Sequence, residues 1–329
     1  MSGNSPLVSV LIPAYNHENY VQESIQSVID QTYKNIELIV VDDGSKDSTW
    51  QKIQEMKEIC EKRFSNIHFE TKDNEGTSAT LNKLLSLASG EYISILASDD
   101  KFKPQLIEIE YEFLSQNPDY TLCVGDNEII DSNSKKCYWD KDRNCVYDIK
   151  KAKYKTFGDF LKKERKDVNF CSDNFGSYSS IYAGNYIPNG KLIRRSVFDK
   201  IGNYTKEAPL EDWWLMLQIS KYGKMKYLDQ VLFSYRWHES NTVKDNRKMC
   251  KLINKTRIYE NNLLLKSDID KLNKDVLEII GNGCVCRKYI RIPYLFEILL
   301  SFKPTFPNKK FVTFKIINIK VFEYTINID

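Results

Sequence analysis

Three short aliphatic runs, Val8-Ser9-Val10-Leu11-Ile12, Ile36 to Val41 and Tyr92 to Leu96, alternate with segments whose apolar residues recur at helical spacing. Continuous apolar runs of this length suit strands buried on both faces of a sheet, a burial that parallel strands acquire from the helices connecting them. Between the first two runs, Val21, Ile25, Val28 and Ile29 mark one face of a helix over Asn19 to Gln31. Ser48 to Phe64 and Ser78 to Ala88 are expected to be further helices, with Ile67 to Glu70 a short strand between them. The alternation predicts an α/β fold with a doubly wound, mostly parallel central sheet and right-handed crossovers. Ligands of such sheets bind beyond the carboxyl ends of the strands, so the loops after the strands are where chemistry is expected.

Regular patterning resumes over Leu192 to Ile201, in a helix from Asp212 to Tyr222 and in a strand near Lys226 to Phe233. Residues 132 to 186 interrupt it, rich in Lys and Tyr without a periodic apolar face, and are expected to be an insertion. One or two basic helices and a β-rich stretch, Phe311 to Ile326, should follow Asn241. With 329 residues, 42% of them hydrophobic and 28% charged, the chain is long enough for a sizeable core and unlike collagen or wholly disordered proteins. No stretch of 18 uncharged apolar residues occurs and the first residues lack a basic-then-apolar leader, so neither spanning nor secretion is expected. Eight cysteines form no CxxC pair and only three histidines are present, which removes the usual spacing of structural zinc and suits reduced cytosolic thiols.

Acidic clusters stand at three predicted strand ends or helix starts: Asp42-Asp43, Asp99-Asp100 and Glu211-Asp212. Each has a bland alternative, as a turn, a helix cap or carboxylates favoured by a helix dipole. Paired carboxylates that become buried need a compensating cation or hydrogen-bonding ligand. A hard divalent ion meets that need through one or two carboxylates together with substrate phosphates.

The segments Ser9-Val10-Leu11-Ile12-Pro13-Ala14-Tyr15-Asn16, Glu37 to Thr49, and Gly90-Glu91-Tyr92-Ile93 leading to Asp99-Asp100, in this order, resemble family 2 glycosyltransferases of the GT-A fold over roughly residues 6 to 243. The resemblance implies an inverting transferase that moves a sugar from a UDP-sugar donor to an acceptor hydroxyl with Mn²⁺ or Mg²⁺ as cofactor. It implies a catalytic domain over 1–243, with a nucleotide-sugar half to residue 100 and an acceptor half over 101–243, followed by a basic extension over 244–329. Pro13, Tyr15 and Asp43 fall where the family holds the nucleobase, Asp99 where it faces the ribose, and Asp100 where it ligates the metal. Asn74, Gly76 and Asn82 match the segment near the diphosphate. Ser98 and Leu81 depart from the family, which often has an Asp and an Arg at these positions. Asp212 matches the acid that removes the acceptor proton, with Glu211 beside it and Trp213 and Trp214 as candidate sugar-stacking indoles, although either could equally be a core residue. Tyr235-Arg236-Trp237-His238 resembles a C-terminal YRxH segment in which His238 binds metal or diphosphate and Arg236 neutralises phosphate charge. His17 and His68 receive no role.

No G-x-G-x-x-G follows the first strand and no G-x-S-x-G elbow occurs, which disfavours a Rossmann dehydrogenase and a serine hydrolase. Two rivals stay open: a non-catalytic nucleotide or glycan-binding module on the same fold, and a sugar-nucleotide nucleotidyltransferase. Residues 244–329 carry 17 Lys/Arg against 9 Asp/Glu, in a chain whose formal net charge is +3. Together with Arg287-Lys288-Tyr289-Ile290-Arg291 and the apolar Tyr294-Leu295-Phe296, this suits peripheral attachment to an anionic cytoplasmic leaflet, where a lipid-linked oligosaccharide acceptor in bacterial surface-glycan synthesis would reside. A homodimer surface or a solvated basic face is an equal alternative, and no nucleic-acid partner is expected.

Overall fold

The computed structural model describes residues 5–266 and the backbone of residues 287–292, 296–305, 309–316 and 319–327. The chain divides into two compact units, Met1–Met249 and Cys250–Asp329. In the first, β1 (Val8–Ala14), α1 (Val21–Ile29), β2 (Ile36–Asp42), α2 (Thr49–Glu55), α3 (Lys57–Arg63), β3 (Asn66–Thr71), α4 (Thr77–Leu87) and β4 (Tyr92–Ile95) realise the predicted alternation. β5 (Lys101–Phe102), α5 (Leu106–Gln116) and β6 (Tyr120–Ile130) follow. The single helix expected over Ser48 to Phe64 is two helices, broken at Met56, whose ψ of −6° departs from helical geometry.

Strands β3, β2, β1 and β4 lie side by side and parallel. Every residue of β2 is buried, and so is every residue of β1 except the half-buried Pro13. Each fully buried Val, Leu or Ile contributes about 1.5–3 kcal/mol, so these two strands anchor the unit and hold the loops at their carboxyl ends in place. At the opposite edge, buried Glu37 accepts hydrogen bonds from Ser9 Oγ, Asn66 Nδ2, Ser89 and the Gly90 N–H. Burial opposes its ionisation, but these donors prevail and hold its carboxyl below the usual range. Gly90 is required there, because a Cβ would meet Ser9 Oγ at 2.6 Å and backbone atoms of Leu7 and Ser9 at 2.7 Å.

The insertion has its own order: β7 (Lys136–Trp139), β8 (Cys145–Val146), α6 (Phe157–Glu164) and α7 (Tyr178–Ala183). Trp139 is its centre, in edge contact with Phe157, Phe160 and Trp237, the last at 4.7 Å between ring centroids. Then come β9 (Lys191–Arg194), α8 (Phe198–Ile201), α9 (Glu211–Ser220) and β10 (Lys224–Arg236). β9 inserts antiparallel between β4 and β6, β10 runs parallel to β6, and β5 pairs antiparallel with β10, which makes the sheet mixed beyond β4.

Helix α10 (Asn246–Lys266) leads into the second unit, where β11 (Arg287–Ile292), β12 (Phe296–Thr305), β13 (Lys309–Ile316) and β14 (Ile319–Asn327) form an antiparallel sheet in that order. Tyr294, Leu295, Cys284 and Cys286 lie outside the described residues. Among the described residues no helix is long and apolar enough to cross a membrane, and all six cysteines are free thiols.

Candidate active site

The loops after β1, β2 and β4 share the carboxyl edge of the sheet and are tied to one another. Asn16 takes a left-handed conformation (φ 52°), which Asn tolerates better than most residues. Its N–H donates to Ser45 Oγ and its Oδ1 accepts from the Lys46 N–H, both at 2.8 Å. The next N–H, of His17, donates to Thr49 Oγ1 at 2.8 Å. Helix α1 and the residue after its C-cap secure the loop after β4 with three buried polar side chains: Ser24 donates to the Asp100 carbonyl, Ser27 Oγ accepts from the Phe102 N–H, and Gln31 donates to the Lys103 carbonyl.

Asp43 is almost fully buried at the floor of a cavity of about 510 Å³ lined also by Pro13, Tyr15, Thr80, Ser98 and Glu211. Its carboxylate accepts from Lys72 Nζ, the Glu75 N–H (3.0 Å) and the Gly76 N–H (2.9 Å). Burial favours the neutral acid, but hydrogen bonds from Lys72, the Glu75 N–H and Thr80, together with the Lys72 charge, outweigh it and keep the carboxyl below its ordinary range. Gly44 (φ +68°) makes the turn that sets Asp43 there, since a Cβ would lie 2.9 Å from backbone atoms of Asn74 and Lys72.

The segment expected near the diphosphate divides. Gly76 contributes its N–H to Asp43, Asn74 is exposed in the same loop, and Asn82 is turned elsewhere. Asn82 accepts from the Tyr204 N–H (2.8 Å) and donates to the Tyr204 carbonyl (2.9 Å), so its amide clasps α4 to the loop before α9 and is a packing device.

After β4 the two aspartates turn to different partners. Asp100 is buried, and its Oδ1 accepts the Arg236 backbone N–H at 2.8 Å. Burial, reinforced by the adjacent Asp99 charge, pushes its pKa well above the carboxylate range. Asp99 is the group that faces the histidines: Oδ2 lies 3.0 Å from His238 Nε2 and 3.8 Å from His17 Nε2. Ser98 Oγ stands 2.8 Å from His17 Nδ1 and Ser240 Oγ 2.8 Å from His238 Nδ1, so both rings aim Nε2 at the carboxylate. One ligand atom from each of His17, Asp99 and His238 lies within 4.8 Å of the others.

Arg236 is not a free phosphate ligand. Its guanidinium is fully buried, donating to the Asp99 carbonyl (2.6 Å), the Asp131 carbonyl (3.2 Å), Ser134 Oγ (2.8 Å) and Glu23 Oε2 (3.2 Å). It also stacks 4.6 Å from the Tyr20 ring centroid, and Tyr20 in turn packs against His238. Its work is to fix the loop that carries Asp99 and the strand end that carries His238.

Helix α9 opens with Glu211 and Asp212, which part company. Glu211 faces the Asp43 cavity, where burial, and then the neighbouring Asp212 charge, push its carboxyl up to about 7. Asp212 is exposed; its Oδ1 accepts the Trp213 N–H (2.6 Å) and its Oδ2 accepts from Asn185 Nδ2 (3.2 Å). Trp213 and Trp214 are 2% and 3% exposed, too buried to stack on a sugar, and Trp213 Nε1 donates to the Ile181 carbonyl at 2.8 Å. Both are core residues: Trp213 seats α9 against α7, and Trp214 packs on Tyr204 with ring centroids 5.6 Å apart.

Sequence reasoning missed His17, Lys72 and Lys191. The first two sit just past the carboxyl ends of β1 and β3, where the strand-end rule directs attention. Lys191 opens the antiparallel β9, and burial pulls its pKa down against the attraction of Asp212, Glu110 and Asp100.

This architecture is the GT-A fold. It is similar to S. aureus TarS 1-349 in complex with UDP-GlcNAc (17% identity, 84% of this chain and 72% of that one, TM-score 0.55). It is also similar to the mannosyltransferase PcManGT from Pyrobaculum calidifontis in complex with GDP-Man and Mn²⁺ (14% identity, 80% and 65% covered, TM-score 0.57). Residues 9–202 match the Glycosyl transferase family 2 profile, and an uncharacterized glycosyltransferase of Haemophilus influenzae is 33% identical over 241 residues, 73% of this chain and 68% of that protein. The chain belongs to glycosyl transferase family 2. The putative teichuronic acid biosynthesis glycosyltransferase TuaG of Bacillus subtilis is 37% identical over 137 residues, 40% of this chain and 53% of its own. The chain spans about two thirds of the Haemophilus protein and 38% of a Rickettsia felis relative.

Proposed function

We propose that the chain is an inverting, metal-dependent transferase that moves a sugar from a UDP-sugar to a hydroxyl of a glycan or lipid-linked oligosaccharide acceptor in bacterial surface-glycan synthesis. One observation carries the reading. The cavity floored by Asp43 also contains Ser98 and Ser240, the hydroxyls that orient His17 and His238, and Glu211 from the start of α9. The group proposed for the base, the hydroxyls that orient the proposed metal ligands and the first acid of α9 thus border one space, which supports the reading. Asp43 accepts from the uracil N3–H, with Pro13 and Tyr15 beside it. Asp99 and His238 hold the cation. A bound Mn²⁺ or Mg²⁺ supplies the counter-charge for the departing diphosphate. Asp212 takes the acceptor proton from the face opposite the leaving group, as a single displacement requires, while Asn185 holds its other oxygen. The relatives named above support the donor class, since TarS binds UDP-GlcNAc and PcManGT binds GDP-Man with Mn²⁺.

The test is turnover of UDP-sugars and GDP-sugars, with and without Mn²⁺. Turnover of UDP-sugars alone, and only with the cation, is expected; a preference for GDP-sugars would overturn the assignment of Asp43 to uracil. The basic segment 244–329 is proposed to hold the enzyme on the anionic cytoplasmic leaflet, each Lys or Arg near such a surface contributing roughly 1 kcal/mol. Co-sedimentation with anionic liposomes should be strong at low salt and fall as salt rises. No binding at low salt would remove the membrane role and leave packing or a homodimer surface for the tail.

A further inference from the structure

We propose that His17 is a third protein ligand of the divalent cation, completing with Asp99 and His238 a site of two imidazole nitrogens and one carboxylate. The inference rests on the reading of this edge as a metal-dependent transferase site, and it adds a residue from the loop after β1 to a centre otherwise built from the loop after β4 and the end of β10.

Three observations carry it. First, His17 Nε2 is 3.8 Å from Asp99 Oδ2, too far for a hydrogen bond, so it faces the carboxylate without closing on it. Ligands at adjacent positions on one ion, with bonds of about 2.0–2.2 Å, stand about 3 Å apart, so roughly 1 Å of side-chain movement would bring the pair to coordination. Second, the two histidines are built alike. Each has Nδ1 engaged by a serine hydroxyl at 2.8 Å, Ser98 for His17 and Ser240 for His238. A hydroxyl that accepts from Nδ1–H fixes the tautomer that leaves the Nε2 lone pair open, which is the usual outer-shell arrangement of a ligating imidazole. Third, the backbone holds His17 firmly, through its N–H on Thr49 Oγ1 and its carbonyl accepting from the N–H groups of Tyr20 and Val21.

The donor set has a consequence for metal choice. Mg²⁺ takes oxygen ligands and sheds water reluctantly, whereas first-row transition-metal ions accept imidazole nitrogen, Mn²⁺ the least strongly of them but better than Mg²⁺. Two nitrogens therefore bias the site toward Mn²⁺, and His17 is the residue that adds the second.

The experiment is Mn²⁺ binding to the full chain with UDP present, followed by electron paramagnetic resonance, with pulsed measurements counting coordinated ¹⁴N, for wild type, His17→Ala, His17→Gln, His238→Ala and Asp99→Ala. Wild type should show two imidazole nitrogens, and His17→Ala one, with Mn²⁺ affinity down at least about 10-fold and Mg²⁺ affinity changed less. If His17→Ala unfolds on heating earlier than wild type, His17→Gln, which keeps a polar group beside Ser98, gives the same nitrogen count. Two nitrogens in either His17 variant, with Asp99→Ala binding lost, would overturn the role of His17 and leave the metal reading intact. Unchanged Mn²⁺ binding in both Asp99→Ala and His238→Ala would instead overturn the metal reading, and His17 with it.

Discussion

Asp99→Ala is expected to lower sugar transfer at least about 10²-fold, because the departing diphosphate loses its counter-charge, and excess chelator should reproduce the loss in the wild type. The neighbouring acid makes the sharper test. Asp100 is buried, pushed toward its neutral form by burial and by Asp99, and occupied by the Arg236 N–H. Asp100→Asn preserves the shape and the acceptor oxygen for the Arg236 N–H, so it should keep most of the activity and all of the Mn²⁺ affinity. Steady-state transfer and Mn²⁺ titration of the two variants decide between the aspartates. An active Asp99→Ala beside an inactive Asp100→Asn would return the metal to Asp100, and full wild-type activity in chelator would move phosphate stabilisation to protein groups such as Lys191.

The parallel half of the fold was legible because burial on both faces forces continuous apolar runs, as in β1 and β2, and because connecting helices keep a 3.6-residue period, as in α1. The insertion was not legible. Its stability comes from edge-to-face contacts of Trp139, Phe157, Phe160 and Trp237, which depend on ring orientation and leave no periodic trace in sequence. The antiparallel placement of β9 is likewise set by tertiary pairing with β4 and β6.

At the site, the strand-end rule located the acidic clusters but could not say which way a side chain turns. In Asp99-Asp100, one residue of rotation decides which carboxylate meets the histidines and which meets a backbone N–H. Arg236 illustrates the same limit. A cation beside the expected phosphate site is a natural phosphate ligand until its donors are counted, and here carbonyls, Ser134 and Glu23 engage them. Trp213 and Trp214 follow the commoner rule that large aromatics at the start of a packed helix belong to the core. His17 was passed over because a lone histidine carries little information in sequence; Asp99 and Ser98, more than eighty residues away, give it meaning.

Asp212→Asn is expected to lower turnover by about 10²-fold or more while leaving UDP-sugar affinity unchanged at about pH 8, where Glu211 is charged in both proteins, since the exposed Asp212 lies outside the cavity floored by Asp43 and acts only when the acceptor hydroxyl loses its proton. Glu211 predicts a different signature. It lies in the donor cavity with a carboxyl near 7, raised first by burial and then by Asp212, so it is largely neutral below that pH and charged above it. A UDP-sugar diphosphate does not titrate in this range, so its affinity should weaken as pH rises from about 6 to 8 and Glu211 acquires charge beside it. Glu211→Gln should abolish that dependence. Asp212→Asn should move it to lower pH, because removing the neighbouring negative charge lets the Glu211 carboxyl fall toward its ordinary range. Calorimetric titration of a UDP-sugar across this pH range, paired with turnover, separates the two acids. If Glu211→Gln loses 10²-fold in turnover at unchanged affinity while Asp212→Asn stays active, Glu211 is the base, and the charge it must carry to accept a proton is the one its burial beside the donor suppresses.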